Sequence, residues 1–273
     1  MKEFRDKVAV ITGAASGIGF GIAERCAQEG MQVVLAGINH DNLIRAKDAL
    51  APTGARTLTV QTDVSKLADI EALAQKTLDA FGAVHLLVNN AGVAAGGPVW
   101  ECTLADWQWV MEVNLWGVIY GVKVFVPIML AQDTECHIVN NSSIVGLLPY
   151  FSSAPYQVTK HAVVALSENL HYSLTQENAK VRVSVLCSGW VKTRILDSGR
   201  NRPLELQNEP ISEPPSPESE AAAVQSRQTV EGGMSPQEVA DQVVRAIGSE
   251  RFWILTHSDW NSEIRQRIEG ALE

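Results

Sequence analysis

The junction near the start of the chain constrains the fold most. A short apolar run, Val8-Ala-Val-Ile11, leads straight into Thr12-Gly-Ala-Ala-Ser-Gly-Ile-Gly19. A continuous apolar run of this length reads as a strand buried on both faces, which a parallel sheet covered by helices provides. Glycines at 13, 17 and 19 then form a turn into an amphipathic stretch that reaches about Glu29, where Gly30 is placed to stop a helix. Backbone amides in such a turn can approach a pyrophosphate closely, and the helix N-terminus adds the positive end of its dipole.

The same rhythm continues. Strands are expected at Gln32–Ala36, Thr57–Gln61, Val84–Val88, His137–Ser143, Val181–Leu186 and Arg251–Thr256. Helices are expected at Asp41–Leu50, at Leu67–Phe81, from about Leu104 to Leu130, from the Tyr156 region to about Gln176, after Ser235, and in a polar terminal stretch. Alternating βαβα with short connections predicts one α/β domain over residues 1–273, a doubly wound seven-stranded parallel sheet of the Rossmann type. Ligands then bind beyond the carboxyl ends of the strands, where the turn at 12–19, the Asn89-Asn-Ala-Gly92 turn and Asp63 fall. One segment breaks the rhythm. Residues 197–233 hold five prolines and a run of glutamates, and are expected to form a loop or lid on the substrate side.

Composition excludes several classes. The net charge of −9 and pI near 5.2 oppose a nucleic-acid surface, which needs a basic patch. The N-terminus lacks a signal-peptide pattern, and no apolar run reads as a membrane span. Cys26, Cys102, Cys136 and Cys187 are scattered without metal or disulfide spacing. They are expected to be buried free thiols in a reducing cytoplasm, and no metal is expected.

Tyr156 and Lys160 lie four residues apart and share a helix face if this stretch is helical. An ammonium at about 4 Å is worth roughly 4 kcal/mol at an effective dielectric of about 20. That would lower a phenol by up to about three units.

Taken together, Thr12-Gly-x3-Gly-Ile-Gly19, Asn89-Asn-Ala-Gly92, Asn114, Ser143 and Tyr156-x3-Lys160 resemble the short-chain dehydrogenase/reductase family over nearly the whole chain. The resemblance implies an NAD(P)-dependent oxidoreductase in which Tyr156 is the general acid or base and Lys160 lowers its pKa and holds the nicotinamide ribose. Ser143, rather than Ser142, would hydrogen-bond the reacting oxygen, and Asn114 would hold a water linked to Lys160. For the cofactor it implies Gly13, Ser16, Gly17, Ile18 and Gly19 at the phosphates. Asp63 and Val64 would meet the adenine, with Asn90, Ala91 and Gly92 at its ribose, and Val191 and Thr193 at the carboxamide.

Two positions depart from the family pattern. Ser188-Gly189 stands where Pro-Gly is common, which implies a less rigid turn. Gly37 stands where NAD-preferring members carry an aspartate, and Ile38 where NADP-preferring members often carry an arginine. Loss of the carboxylate permits a 2′-phosphate without attracting it, with Asn39 and His40 available for hydrogen bonds. The reading inclines slightly to NADP, with NAD or dual use beside it.

Val145, Trp190, Ser143 and Tyr156 are the candidate substrate contacts, and the walls around them include Leu147, Leu148, Tyr150 and Phe151. A hydrophobic or aryl secondary alcohol and its ketone or aldehyde are expected, and Met1–Val8 and Val113–Val122 are faintly similar to bacterial aryl-alcohol (Cα) dehydrogenases of the family. The competing reading is an idle family member that binds cofactor as a sensor or scaffold. Family analogy also implies a homodimer or homotetramer through the two long helices, with no nucleic-acid or membrane partner.

Overall fold

The computed structural model describes residues 1–149, 153–209 and 216–272. Seven strands form one parallel sheet: β1 (Val8–Thr12), β2 (Gln32–Gly37), β3 (Thr57–Gln61), β4 (Leu86–Asn89), β5 (Cys136–Asn141), β6 (Val181–Cys187) and β7 (Trp253–Leu255). Their order is β3-β2-β1-β4-β5-β6-β7, with Val10 opposite Val34 on one side and Leu87 on the other. The order reverses between β1 and β4, so a crevice opens beyond their carboxyl ends, as in doubly wound sheets. β1 and β5 are buried along their whole length, β1 as its unalternating apolar run requires of a strand inside such a sheet.

Helices cover both faces. On one, α1 (Gly17–Gln28), α2 (His40–Leu50) and α8 (Pro236–Gly248) bury Ile22, Leu43 and Val243 against β1 and β2. On the other, α3 (Leu67–Phe81), α5 (Gly117–Ala131) and α6 (Ala154–Gln176) bury Leu73, Phe125 and Leu174 against Leu87 and Ile138. α4 (Leu104–Met111) precedes α5, and a π-helical stretch, Glu112–Trp116, joins them. α9 (Asn261–Gly270) ends the helices.

The stretch Leu104–Ala131 has 28 helical residues, and its most apolar 18-residue window has a mean hydropathy of 1.7, enough by length and composition to cross a membrane. That corrects the expectation that no such run exists. Its buried residues Val110, Asn114, Val118, Gly121, Phe125 and Met129 recur at helical spacing, and Phe125 and Met129 enter the core under the sheet. Gly121 explains how the helix lies so close: a Cβ there would come 2.2 Å from Asn89 Oδ1.

Segment 197–233 is not a structureless excursion. It begins inside 3₁₀ turns at Ile195–Asn201 and Leu204–Leu206, and it ends in α7 (Pro217–Glu231). Ser216 accepts from Ser219 N, Pro217 occupies the first turn, and Glu218 and Glu220 face the positive dipole end. Pro217, Glu218 and Glu220, which looked like loop composition, are start signals of this helix. Residues 210–215, which include Pro210, Pro214 and Pro215, lie outside the described residues.

All four cysteines are free, and Cys26, Cys136 and Cys187 are buried as expected. Cys102 is only partly so.

Candidate active site

Thr12, the last residue of β1, joins the two central strand ends. Its Oγ1 donates to Val88 O at 3.3 Å and accepts from Asn90 N (2.9 Å) and Ala91 N (3.0 Å). Asn90 Nδ2 returns a bond to Thr12 O at 2.8 Å. The glycine turn is thereby pressed against Asn90-Ala91. Gly13 has φ +65°, and a Cβ on it would sit 2.9 Å from both Ala91 Cα and Asn90 Nδ2. Only glycine fits that backbone and that approach. The result is a bare cradle of amides at the start of α1, which suits a dinucleotide diphosphate.

One cavity of about 550 Å³ runs from this cradle along the strand ends. Gly13, Ser16, Gly17, Ile18, Gly37, Ile38, Asp63, Val64, Asn90, Ala91 and Gly92 line it, and so do Ser143, Val145, Tyr156, Lys160, Trp190, Val191 and Thr193. Leu147 and Leu148, expected in the substrate wall, do not line it: Leu147 packs against Val164 and Val185, and Leu148 against Ile144 and Val145. Two of the site residues named from sequence also stand behind the wall. Gly19 supports the turn beneath Gly13, and Asn114 is buried behind Gly92, where a Cβ would lie 3.4 Å from Asn114 Oδ1 and 3.7 Å from Lys160 Nζ. Tyr150 and Phe151 lie outside the described residues.

The catalytic candidates converge from three elements. Ser143 follows β5, Tyr156 sits in the first turn of α6, and Lys160 follows one turn later. The start of α6 is tied down by Ser153 Oγ, which donates to Ala95 O at 2.7 Å. Asn114 projects from the π-helical stretch. Its Oδ1 accepts from Val93 N at 2.8 Å, and its Nδ2 donates to Val93 O (2.9 Å) and Thr159 Oγ1 (3.3 Å). Asn114 thus joins the loop after β4 to α6; the widened turn at a functional position is a common use of π-helix.

The geometry separates the two serines. Ser142 Oγ donates to Lys160 O at 2.7 Å and is closed in by Gly146, a packing role. Ser143 Oγ makes long bonds to Ser188 O and from Val145 N, both 3.4 Å, and it hydrogen-bonds the Tyr156 side chain. Ser143 therefore faces the reacting position.

The electrostatics differ from the sequence arithmetic. Lys160 Nζ lies 5.3 Å from the Tyr156 ring centroid and donates to Asn141 O at 2.8 Å. Burial pushes the phenol up to about 12, and the Ser143 hydrogen bond opposes this. Burial also pushes the Lys160 amine down to about 8, with Cys187 acting the other way. Counting the ammonium alone predicted a lowered phenol. Desolvation, absent from that sum, acts on both partners and wins.

The Ser188-Gly189 turn is pinned on both sides. Ser188 O accepts from Ile144 N at 2.8 Å. Gly189 N donates to His257 Nδ1 (3.2 Å) and Thr256 Oγ1 (3.4 Å). Hydrogen bonds from β7's end stand where a proline would have stiffened the turn.

Several residues of the cavity escaped sequence reading. Trp109 and Val113 come from the α4 region, and Trp260 from the 3₁₀ turn before α9. Trp260 packs with Ile144 and Val145 in the cluster that Tyr156 joins. A lone tryptophan in the polar run Ser258–Gln266 was the one available signal. Asp106 and Arg202 were missed as well. Arg202 Nη1 donates to Asp106 Oδ1 at 2.6 Å with both side chains nearly buried, and its guanidinium lies 5.2 Å from the Trp109 ring centroid. Asp106 Oδ2 meanwhile accepts from Thr103 N and closes the capping box of α4.

The comparisons agree with this architecture. A family model described as short chain dehydrogenase matches residues 7–203. A "CLA biosynthesis dehydrogenase/reductase" of Lactiplantibacillus plantarum is 34% identical, covering 98% of this chain and 94% of its own length. A "C alpha-dehydrogenase" of Sphingobium sp. strain SYK-6 is 30% identical over 100% of this chain and 88% of its own. Among solved structures, a short-chain dehydrogenase/reductase from Burkholderia phymatum in complex with NAD has a TM-score of 0.93 and 46% identity, over 98% of this chain and 95% of that one. With the glycine cradle, the reversed strand order and the Ser143–Tyr156–Lys160 cluster already in place, these matches make the chain a member of the short-chain dehydrogenase/reductase family, an NAD(P)-dependent enzyme acting on the CH–OH group.

Proposed function

We propose that the protein interconverts a hydrophobic or aryl secondary alcohol and its ketone, with Tyr156 as the proton carrier. One observation carries the reading: Trp109, Val113, Val145, Trp190 and Trp260 line the same cavity as Ser143 and Tyr156. An apolar, aromatic wall around one proton donor and one hydrogen-bond donor suits a substrate whose only polar demand at that end is its oxygen.

A bound nicotinamide would accept or give the hydride, the cofactor's share of the chemistry. The chain's own residues do the rest. In reduction, Tyr156 Oη gives its proton to the carbonyl oxygen; in oxidation, the phenolate takes the carbinol proton. Ser143 Oγ donates to the oxygen on which charge develops. Lys160 supplies positive charge beside the phenol and a donor for the nicotinamide ribose, and Asn114 fixes the backbone at Val93 against α6. Tyr156→Phe should lower kcat by at least about 100-fold with cofactor Kd within twofold. Undiminished turnover in that variant would remove the mechanism, and activity confined to polyols would remove the substrate class.

For the adenosine 2′ position we propose dual cofactor use. Gly37 offers no carboxylate against a phosphate. The neighbouring cation Arg45 donates to Asn42 Oδ1 at 2.9 Å, and the inclination to NADP rests on the missing carboxylate alone. The similar Burkholderia protein carries NAD. Measured kcat/KM for NADH and NADPH should agree within about tenfold; a larger gap would overturn this.

We also propose a homodimer or homotetramer through α4–α6, where Leu104, Trp116, Val158 and Tyr172 stand exposed. A monomer by sedimentation at micromolar concentration would contradict it. The four free thiols support a reducing, cytoplasmic setting, which fractionation of the native cells tests.

A further inference from the structure

Three guanidinium groups gather where the segment after β6 turns back toward α7, and one carboxylate serves two of them. Asp197 Oδ2 lies 3.8 Å from Arg194 Nε. Its Oδ1 accepts from both Nη atoms of Arg227 at 3.3 Å. Arg200 pairs with no carboxylate among the described residues: its Nη1 donates to Arg194 O (2.9 Å) and Asp197 O (2.6 Å). Arg194 and Arg200 both line the cavity that holds Tyr156. In a chain of net charge −9, this corner carries an excess of positive charge facing a binding cavity.

The other acidic groups on the cavity wall are engaged elsewhere. Asp63 accepts from Ser65 and lies 3.4 Å from Lys66, while Glu112 accepts from Gln108. Burial and the Arg194 charge hold the Arg200 pKa below its ordinary value against the pull of Asp197, in keeping with two cations held close together.

The segment that carries them is fastened on both sides of Arg200. Ser198 is buried and its Oγ accepts from Ala94 N at 3.1 Å. Arg202 is locked to Asp106 and also donates to Leu206 O at 2.6 Å. Arg200, between these anchors, would lose little further backbone freedom on meeting a ligand, which favours binding.

We propose that Arg194 and Arg200 form an anion subsite that takes a carboxylate on an otherwise apolar hydroxy or keto substrate. The inference rests on the reading of this cavity as an alcohol/ketone site. A planar guanidinium matches carboxylate oxygens with charge-assisted hydrogen bonds. The cofactor diphosphate is the other source of anionic oxygens in the same cavity, and the test separates the two.

Cofactor-loaded wild type, Arg194→Gln and Arg200→Gln are titrated calorimetrically with 4-phenylbutyrate and with 4-phenylbutanamide. Cofactor-free samples are titrated with NAD. Thermal melting establishes that each variant is folded, and Arg200→Lys keeps the charge. The carboxylate subsite predicts tighter wild-type binding of the acid than of the amide. It predicts about tenfold weaker acid binding in the glutamine variants, the scale of one charge-assisted hydrogen bond. Amide and NAD affinities stay within twofold, and Arg200→Lys recovers part of the preference for the acid. A tenfold loss of NAD affinity with no acid preference overturns the carboxylate assignment and gives the anion role to the diphosphate. Acid, amide and NAD affinities all within twofold of wild type, or no probe binding with NAD unaffected, overturns the subsite. None of these titrations requires turnover. Failure of the alcohol/ketone reading registers separately, as no cofactor-linked absorbance change across a substrate panel.

Discussion

Replacing Lys160 by methionine tests whether the active site is built at the expense of stability. The amine is buried, and burial pushes its pKa down from 10.5 to about 8. In the unfolded chain it titrates near 10.4. Below pH 8 both states hold the proton, and the folded state bears the cost of a buried charge. Between about 8 and 10.5 the unfolded state binds more protons, so stability rises with pH. At about 1.36 kcal/mol per unit, the full gain is about 3 kcal/mol, and about 2.5 kcal/mol accrues between pH 7 and pH 10. Lys160→Met lacks this group while it shares every other titrating residue. The assay is urea denaturation of both proteins at pH 7 and pH 10. The wild-type-minus-variant difference in unfolding free energy should move by about 2–3 kcal/mol in favour of wild type at the higher pH. At pH 7 the variant should be about as stable as wild type or more so, since the lost bond to Asn141 O, about 1–3 kcal/mol, offsets the relieved desolvation. A difference that stays flat within about 0.5 kcal/mol would refute the claim that burial controls this amine.

Three further tests address packing and the pocket. Gly121→Ala puts a methyl 2.2 Å from Asn89 Oδ1 and should cost about 1–3 kcal/mol by denaturant unfolding; a neutral change would mean α5 does not lie this close to β4. Trp260→Ala should raise KM for bulky aryl ketones about tenfold with cofactor Kd unchanged, because the ring packs in the cluster that Tyr156 joins. Equal KM for large and small ketones in both proteins would remove Trp260 from the pocket. His257→Ala removes an acceptor of Gly189 N and should raise the cofactor KM several-fold, about 1 kcal/mol. Adding Ser188→Pro in that background should recover part of the loss by fixing φ, and no recovery would separate turn stiffness from the nicotinamide contact.

What the sequence shows plainly is what short-range pattern encodes. The unalternating β1 run, the glycines that follow it and the Tyr156–Lys160 spacing place a strand, a turn and a helix face without any distant partner. Ser143 lies 13 residues before Tyr156, and that family spacing selects it over Ser142; the structure supplies the physical reason in the bond from Ser142 to Lys160 O. The Tyr156 pKa was misjudged because desolvation depends on what covers the residue, which no local pattern states. Helix α7 was hidden because proline and glutamate signal both a loop and a helix start. Trp260 and the Arg202–Asp106 pair depend on residues far apart in the chain, and only the folded chain brings Trp260 to the cavity and Arg202 against Asp106 and the Trp109 ring.

Asp106 uses its two oxygens for two different parts of the molecule: one closes the first turn of α4, the other holds Arg202. The start of that helix and the segment carrying Arg200 and Leu206 therefore share one fastening. Neither can open alone without stranding a nearly buried charge, so they form one cooperative unit of local unfolding. Amides in the first turns of α4 and at Leu206 should exchange with solvent as a set, with matched opening free energies, and a ligand that seats against the 195–209 segment should slow exchange at the far side of the same fastening, in α4.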